Sequence, residues 1–238
     1  QRIRTAKTGE WWSTNPERAL ANNSVAYTEK PDPGIFMKEW LSLYESKSGE
    51  RGIFSRASAQ KKAAENGRRE SNWDFGTNPC SEIILRPNQF CNLTEIVVRA
   101  GDTINTLTRK IKVATLLGTI QSTFTNFGYL RKVWQDNTEE ERLLGVSLTG
   151  IMDSELLNGR ETGLAKTLEK LKKVAVDCNK EYAEKFNINQ STAITCVKPS
   201  GTVSQLVDSA SGIHARHNPY YIRTVRGDNK DPLTEFMK

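Results

Sequence analysis

The clearest period in the chain runs from Leu164 to Phe186, where Leu168, Leu171, Ala175, Cys178 and Tyr182 recur at helical spacing and form one apolar stripe. Such a stripe predicts a long amphipathic helix laid against a core. Just beyond it, Ser191 to Val197 reads as a buried strand that ends at Lys198-Pro199-Ser200-Gly201-Thr202. A helix that feeds a buried strand confines the chain to architectures that lay helices on a sheet.

The upstream segments keep this alternation. A turn at Asn15-Pro16 precedes a short apolar run, Ser24 to Tyr27, and a break at Lys30-Pro31-Asp32-Pro33-Gly34. Phe36, Met37, Trp40, Leu41 and Tyr44 then recur at helical spacing, and Gly49 and Gly52 close that helix. A charged helical stretch is expected from Ala57 to Arg69, followed by the polar loop SNWDFGTNP. Ser81 to Leu85 reads as a short strand, Arg86-Pro87-Asn88 as its turn and Phe90 to Val98 as a second strand. Asp102 is the expected N-cap of a helix through about Leu117, with Ile104, Leu107, Ile111, Ala114 and Leu117 on one face. More helix is expected from Gly118 to about Val133, a further start at Glu139 to Arg142, and a strand at Gly145 to Thr149. The fold class expected is therefore α/β with some parallel pairing.

The totals narrow the class. A chain of 238 residues, 37% hydrophobic and 26% charged, is long enough for one sizeable core and has the composition of a soluble globular protein. We read residues 1–238 as a single domain. The start, QRIRTAKTGEWW, lacks the regions of a secretory signal and an initiator Met, so both ends are expected to be cuts. The net charge of +6 favours phosphate-bearing partners, although Lys and Arg are dispersed in the manner of ordinary solvated faces. Four cysteines, Cys80, Cys91, Cys178 and Cys196, are too few and too far apart for a disulfide scaffold, which points to a reduced, cytoplasmic setting. With two histidines, His214 and His217, and no C-x-x-C, no structural metal site is expected.

Three segments carry chemistry. In Asn78-Pro79-Cys80-Ser81-Glu82, residues two apart would share one face of an extended chain, so Asn78, Cys80 and Glu82 could address one small ligand. A buried cysteine between two loop-end polar residues is the plainer reading. A carboxylate beside a thiol raises the thiol pKa, which suits hydrogen-atom chemistry better than thiolate chemistry. The second segment, Phe90-Cys91-Asn92-Leu93-Thr94-Glu95, would approach Cys80 if Arg86-Pro87-Asn88 turns a hairpin; two unconnected buried thiols explain it as well. In the third, an apolar strand runs through Lys198 into Pro199-Ser200-Gly201-Thr202-Val203 and a helix, leaving backbone N–H groups and two hydroxyls for a phosphate. A plain strand-to-helix turn is the alternative, and the spacing is not that of a Walker loop.

Taken in order, NPCSEI, FCNLTE, KPSGTVSQL and SGIHARHNPYYIRTVR, with ANNSVAY and SGERGIFSR upstream, resemble the ribonucleotide reductases. NPC together with GIHARHNPYYIR is most similar to the class II, adenosylcobalamin-dependent enzymes. The resemblance implies part of a ten-stranded α/β barrel, with Cys80 as the transient thiyl radical that removes the 3′ hydrogen of the ribose. It further implies Glu82 as general base at the 3′-hydroxyl, Asn78 as an orienting hydrogen-bond partner, and Cys91 as one of two reducing thiols. Pro199, Ser200, Gly201, Thr202 and Val203 would hold the substrate phosphates. Adenosylcobalamin, a ribonucleotide substrate, a thioredoxin-like reductant and an allosteric nucleotide in the full-length protein are the implied cofactor and partners; no membrane and no nucleic acid are expected.

Two features depart from the family pattern. No cysteine precedes Cys80 to serve as the second reducing thiol, and the C-terminal cysteine pair that resets the active-site disulfide is missing. Truncation accounts for both, and the isolated polypeptide is expected to be inactive. Cys178 and Cys196 read as core residues, His214 and His217 as parts of loop structure. The rival readings are a class I large subunit using a partner-generated radical, a basic nucleic-acid-binding module, and a degenerate relative without activity.

Overall fold

The computed structural model describes residues 4–47, 51–160, 162–222, 224 and 227–237. Gly49 lies outside them, as do Arg223, Val225 and Arg226 of the segment YYIRTVR and Ser48 and Glu50 of SGERGIFSR.

In chain order, α1 (Trp11–Thr14) and a 3-10 turn (Pro16–Leu20) lead to β1 (Ser24–Tyr27), α2 (Pro33–Ser46), β2 (Gly52–Ser55) and α3 (Arg56–Ala64). Then come β3 (Gly76–Thr77), β4 (Ile84–Leu85), β5 (Asn92–Val97), α4 (Ile104–Gln121), α5 (Lys132–Glu141) and β6 (Leu144–Thr149). A 3-10 turn (Ile151–Asp153), α6 (Leu164–Phe186), α7 (Val203–Leu206) and α8 (Pro232–Met237) complete it. The helix starts follow local chemistry. Asp32 accepts from the N–H groups of Gly34 and Ile35 at the head of α2, where Pro33 has no N–H to lose. At α4 the cap is Thr103, in a reciprocal pair with Thr106, and not Asp102. Asp102 instead accepts from Arg99 N–H and binds Lys110 at 2.5 Å.

The main core lies where parallel strands β5 and β6 meet α4 and α6: Ile96, Val98, Leu107, Ile111, Leu144, Val146, Leu171, Ala175 and Ile194 are buried together. Fully burying one such aliphatic side chain contributes about 1.5–3 kcal/mol. Of the stripe expected on α6, Leu171, Ala175 and Cys178 are buried, Cys178 as read, whereas Leu168 is exposed and Tyr182 half-buried. A buried polar knot adds direction: the Asn179 amide donates to Thr119 Oγ1 and Ser191 Oγ, each at 3.0 Å, and its oxygen accepts from Ser191 N–H. This knot fixes the chain that follows α6 against β6, where Thr195 makes a parallel bridge to Val146.

A smaller cluster, Ala59, Ala63 and Phe75, sits where α3 underlies the antiparallel pair β3–β4. Arg69 lies 4.8 Å over the Phe75 ring and Arg86 lies 4.5 Å over Trp73.

Several expectations are corrected. The strand expected at Ser81 to Leu85 is only Ile84–Leu85, because Ser81 is left-handed with φ 63°. β4 pairs with β3, and β5 pairs with β6, so Pro87-Asn88 turns the chain without making a hairpin of the two. Helix α4 runs on to Gln121; α5 occupies Lys132–Glu141, so Glu139 to Arg142 ends a helix at a left-handed Arg142 instead of starting one. The expected strand Ser191 to Val197 is reduced to that one bridge at Thr195. On α2, Trp40, Leu41 and Tyr44 are exposed, while Glu39 is buried between Arg4 and Arg51 at 2.8 and 2.5 Å. The sheets are three separate pairs, β1–β2, β3–β4 and β5–β6, and no closed barrel forms among the described residues. No helix of the described residues is long and apolar enough to cross a membrane.

Candidate active site

Asn78 to Ile83 form the tip of the β3–β4 hairpin, and the sequence dictates how it closes. Asn78 Oδ1 accepts from Ile83 N–H at 3.0 Å and its backbone oxygen accepts from Ser81 N–H at 3.0 Å, a local pairing that asparagine favours in turns. The left-handed Ser81 breaks the period-two alternation, so Asn78, Cys80 and Glu82 do not share the face of an extended strand. Their exposure differs: Cys80 is exposed at the tip, whereas the Glu82 side chain is 1% exposed, with the Asn78 side chain beside it and Lys198 between it and Cys80. Asn22 ties the tip down through a hydrogen bond to Pro79 O at 3.1 Å.

Glu82 is the charged centre of the site. Its Oε1 accepts from Lys198 Nζ at 2.9 Å, and its Oε2 is buried without a hydrogen-bond partner. Burial alone would push this carboxyl up, but the Lys198 hydrogen bond, helped by Asn78 and by the Glu82 backbone amide, holds it below the ordinary value. Lys198 is raised in turn: burial pulls it down, and the bond to Glu82 outweighs that. Sequence reading missed Lys198, which was noted only for its place before Gly201. The motif gave no signal that its partner would lie 116 residues upstream.

Two thiols face this pair. Cys91 precedes β5 and is half-buried; burial raises its pKa and the nearby Glu82 carboxylate raises it further. Cys196 follows the bridge at Thr195 and is also half-buried, with its thiol pushed up to about 12 by burial, Glu82 and Cys91. The assignment of Cys196 to the core is therefore corrected: its sulfur lies on the Glu82 side of the sheet. The convergence depends on Gly145, where a Cβ would stand 2.3 Å from Leu93 Cδ2, 3.0 Å from Ile83 Cδ1 and 3.1 Å from Cys196 Sγ. A strand residue with no side chain leaves the space that those three fill. Both thiols stay protonated at neutral pH, a state suited to hydrogen donation and not to nucleophilic attack.

The segment Pro199 to Val203 is a loop at the start of α7, a helix of only four residues. Ser200 is buried and its Oγ has no partner; Gly201 is left-handed at φ 56°; Pro199, Thr202 and Val203 are exposed. Lys198 N–H donates to Ser147 Oγ at 2.9 Å, which fixes the loop to β6. Gly212 packs so close that a Cβ would come 3.2 Å from Lys198 O, at a φ of 55°. Beyond the loop, Arg216 bridges Asp153 and Asp208, while Arg99 donates to the carbonyls of Val207 and Asp208. A cleft of about 730 Å³ opens there, lined by Gly201, Thr202, Arg216 and His217 among others. His217 stands edge-on to Tyr221, 6.0 Å between rings, in keeping with a loop role.

The site thus combines an exposed thiol, a half-bare buried carboxylate and two protonated thiols with a loop that offers a free hydroxyl. No family model matches the chain. Among curated proteins, an adenosylcobalamin-dependent ribonucleoside-triphosphate reductase of Lactobacillus gasseri is 31% identical over 188 residues, 68% of this chain and 25% of that protein. Over this stretch the chain is similar to the ribonucleotide reductases. The reductase of the same name from Lacticaseibacillus paracasei is 29% identical over 248 aligned residues, 91% of this chain and 32% of that protein. The chain therefore spans about a quarter to a third of the length of these reductases. In fold it is similar to a B-12 dependent (class II) ribonucleotide reductase, with a TM-score of 0.62 and 24% identity over 86% of this chain and 32% of the other. An Actinobacillus ureae class Id ribonucleotide reductase alpha subunit also matches, with a TM-score of 0.56 and 15% identity over 91% of this chain and 46% of the other.

Proposed function

We propose that this chain is the catalytic segment of an adenosylcobalamin-dependent reductase that converts ribonucleoside triphosphates to 2′-deoxyribonucleotides, within a ten-stranded barrel of the reductase type. One observation carries the reading: a buried Glu82 carboxylate keeps Oε2 bare in the same turn that exposes Cys80, with Cys91 beside it.

In this reading Cys80, as a transient thiyl radical, takes the 3′ hydrogen atom, and the bare oxygen of Glu82 takes the 3′-hydroxyl proton as general base. Asn78 has its oxygen engaged with Ile83, and its NH₂ group, which already faces Glu82, orients a ribose hydroxyl beside that carboxylate. The 2′-hydroxyl leaves as water. Cys91 and a second thiol supply two hydrogens and end as a disulfide, which a thioredoxin-like reductant reopens. The raised pKa of Cys91 fits this role, because a thiol carries the hydrogen to be given and a thiolate does not. Ser200 Oγ and the turn from Pro199 to Val203 receive the phosphates. Adenosylcobalamin, when bound, supplies the radical; the exposed position of Cys80 suits a thiol that must be reached from outside the turn. The second reducing thiol, the C-terminal cysteine pair and an allosteric nucleotide are assigned to the remainder of the full-length enzyme.

The test is deoxynucleotide formation from ribonucleoside triphosphates by the full-length protein, with and without adenosylcobalamin, beside Cys80→Ala. Turnover that needs the cobalamin and disappears in the variant is expected. Turnover without it would move the chain to a class I radical source, and turnover by Cys80→Ala would defeat the assignment. The 238-residue chain alone is expected to be inactive.

A further inference from the structure

We propose that Lys198 is a positioning residue: its ammonium holds Oε1 of Glu82, so that the carboxylate meets the substrate through Oε2 alone. This rests on the reductase reading of Glu82 and assigns a role to a residue which that reading leaves unused.

The geometry gives Lys198 no freedom to be an ordinary surface lysine. Its backbone N–H is fixed by Ser147 Oγ at 2.9 Å, its carbonyl is backed by Gly212, and its Nζ reaches Glu82 Oε1 at 2.9 Å. The Glu82 side chain, Oε2 included, is buried at 1% exposure against 30% for Lys198, so the pair reaches solvent only through the lysine and Oε2 is sheltered from water. The groups facing Glu82 are Lys198, Asn78, Cys91 and Cys196, with Cys80 near Lys198. Of these, Lys198 carries the positive charge. Without it a buried carboxylate beside two thiols would take up a proton and cease to be a base.

An ammonium also suits the task better than a guanidinium. A lysine is a point donor that can occupy one oxygen, whereas the arginine fork matches both oxygens of a carboxylate. Arginine at position 198 would preserve the charge and cover Oε2. The proposal therefore separates two variants that a merely structural or phosphate-binding lysine would not.

The experiment uses the full-length enzyme with adenosylcobalamin and follows kcat and KM against pH for wild type, Lys198→Met and Lys198→Arg. For Lys198→Met, kcat at neutral pH is expected to fall about 10²-fold, KM to stay within about threefold, and the acidic limb of the kcat profile to move up by about 1–2 pH units. Lys198→Arg should also lose kcat, with its acidic limb where wild type has it. A loss confined to KM, an unmoved acidic limb in Lys198→Met, or an Arg variant as active as wild type would each overturn the proposal. A readout independent of turnover is the infrared carboxylate band that Glu82→Gln removes. If the wild-type protein makes no deoxynucleotide, the reductase reading fails, and that band still decides the clamp. Titration below the ordinary glutamate range in wild type, rising in Lys198→Met, supports it; titration at or above that range in wild type overturns it. Lys198→Gln replaces the Met variant if the latter does not fold.

Discussion

Glu141 and Glu82 are both carboxylates with almost no exposed side chain, and cations hold them in opposite ways. At Glu141 both oxygens are taken: Arg69 reaches Oε1 and Oε2 at 2.9 and 2.8 Å, Gln89 donates to Oε2 at 2.5 Å, and Arg86 stands 3.3 Å away. Arg69 continues to Ile84 O and Arg86 to Glu140, so the end of α5 is laced to β4 and to the turn after it. At Glu82 one oxygen is taken and the other is left bare. The closed carboxylate fixes the hairpin that presents the open one. A fully satisfied buried ion specifies structure, whereas a half-satisfied one carries a standing cost that a ligand can relieve.

The contrast is sharpened first by removing the closed end. Glu141→Ala strands two buried arginines and is expected to cost about 3–5 kcal/mol, read as a lower urea midpoint for the unit that contains α5 and the hairpin. If that loss stays below about 1 kcal/mol, the lacing is incidental and the comparison fails. Next comes the open end. Glu82→Gln should lower stability by no more than about 1 kcal/mol, since Lys198 can turn to water, while turnover by the full-length enzyme falls about 10²–10⁴-fold. A variant that unfolds like Glu141→Ala would erase the distinction between the two sites.

The third is Gly145→Ala. The new methyl would push on Leu93, Ile83 and Cys196 together and is expected to cost about 1–3 kcal/mol, visible as a reduced melting temperature. Leu93→Ala in the same background should recover part of that loss if crowding is the cause. The smallest effect is on pH dependence. Burial would raise Glu141, but Arg69, Gln89 and Arg86 hold it below the ordinary 4.5. A carboxyl lowered in the folded state adds stability above its unfolded value, and that stability is lost as pH falls through the folded value. The melting temperature of wild type should therefore decline below about pH 4.5, and Glu141→Gln should flatten that decline.

What could be read from the sequence was whatever is local. The α6 stripe and the stripe on α4 lie on helices whose packing faces repeat every few residues, so Leu171, Ala175, Leu107 and Ile111 announced themselves. The ordered motifs pointed to the reductases, and the resemblance is what proposes roles for Cys80, Glu82 and Cys91. Pairing between distant strands was not legible: β5 finds β6 with α4 and α5 in between, and nothing in Phe90 to Val98 distinguishes that partner from a hairpin. The tip at Asn78 to Ile83 was misread because one left-handed serine overturns an alternation that the residue types suggest. Lys198 and Cys196 were missed for the same reason as each other. Their meaning comes from Glu82, brought near by the sheet and not by the chain.

The lacing at Glu141 also bears on how such a chain can change over time. Arg69, Arg86, Gln89 and Glu141 meet in one buried knot, and a single substitution at any of them leaves buried polar or charged groups short of a partner. Intermediates along a one-step route are then the least fit, so these four positions should drift as a block, replaced together by an apolar set or kept together, while the exposed residues around them vary freely.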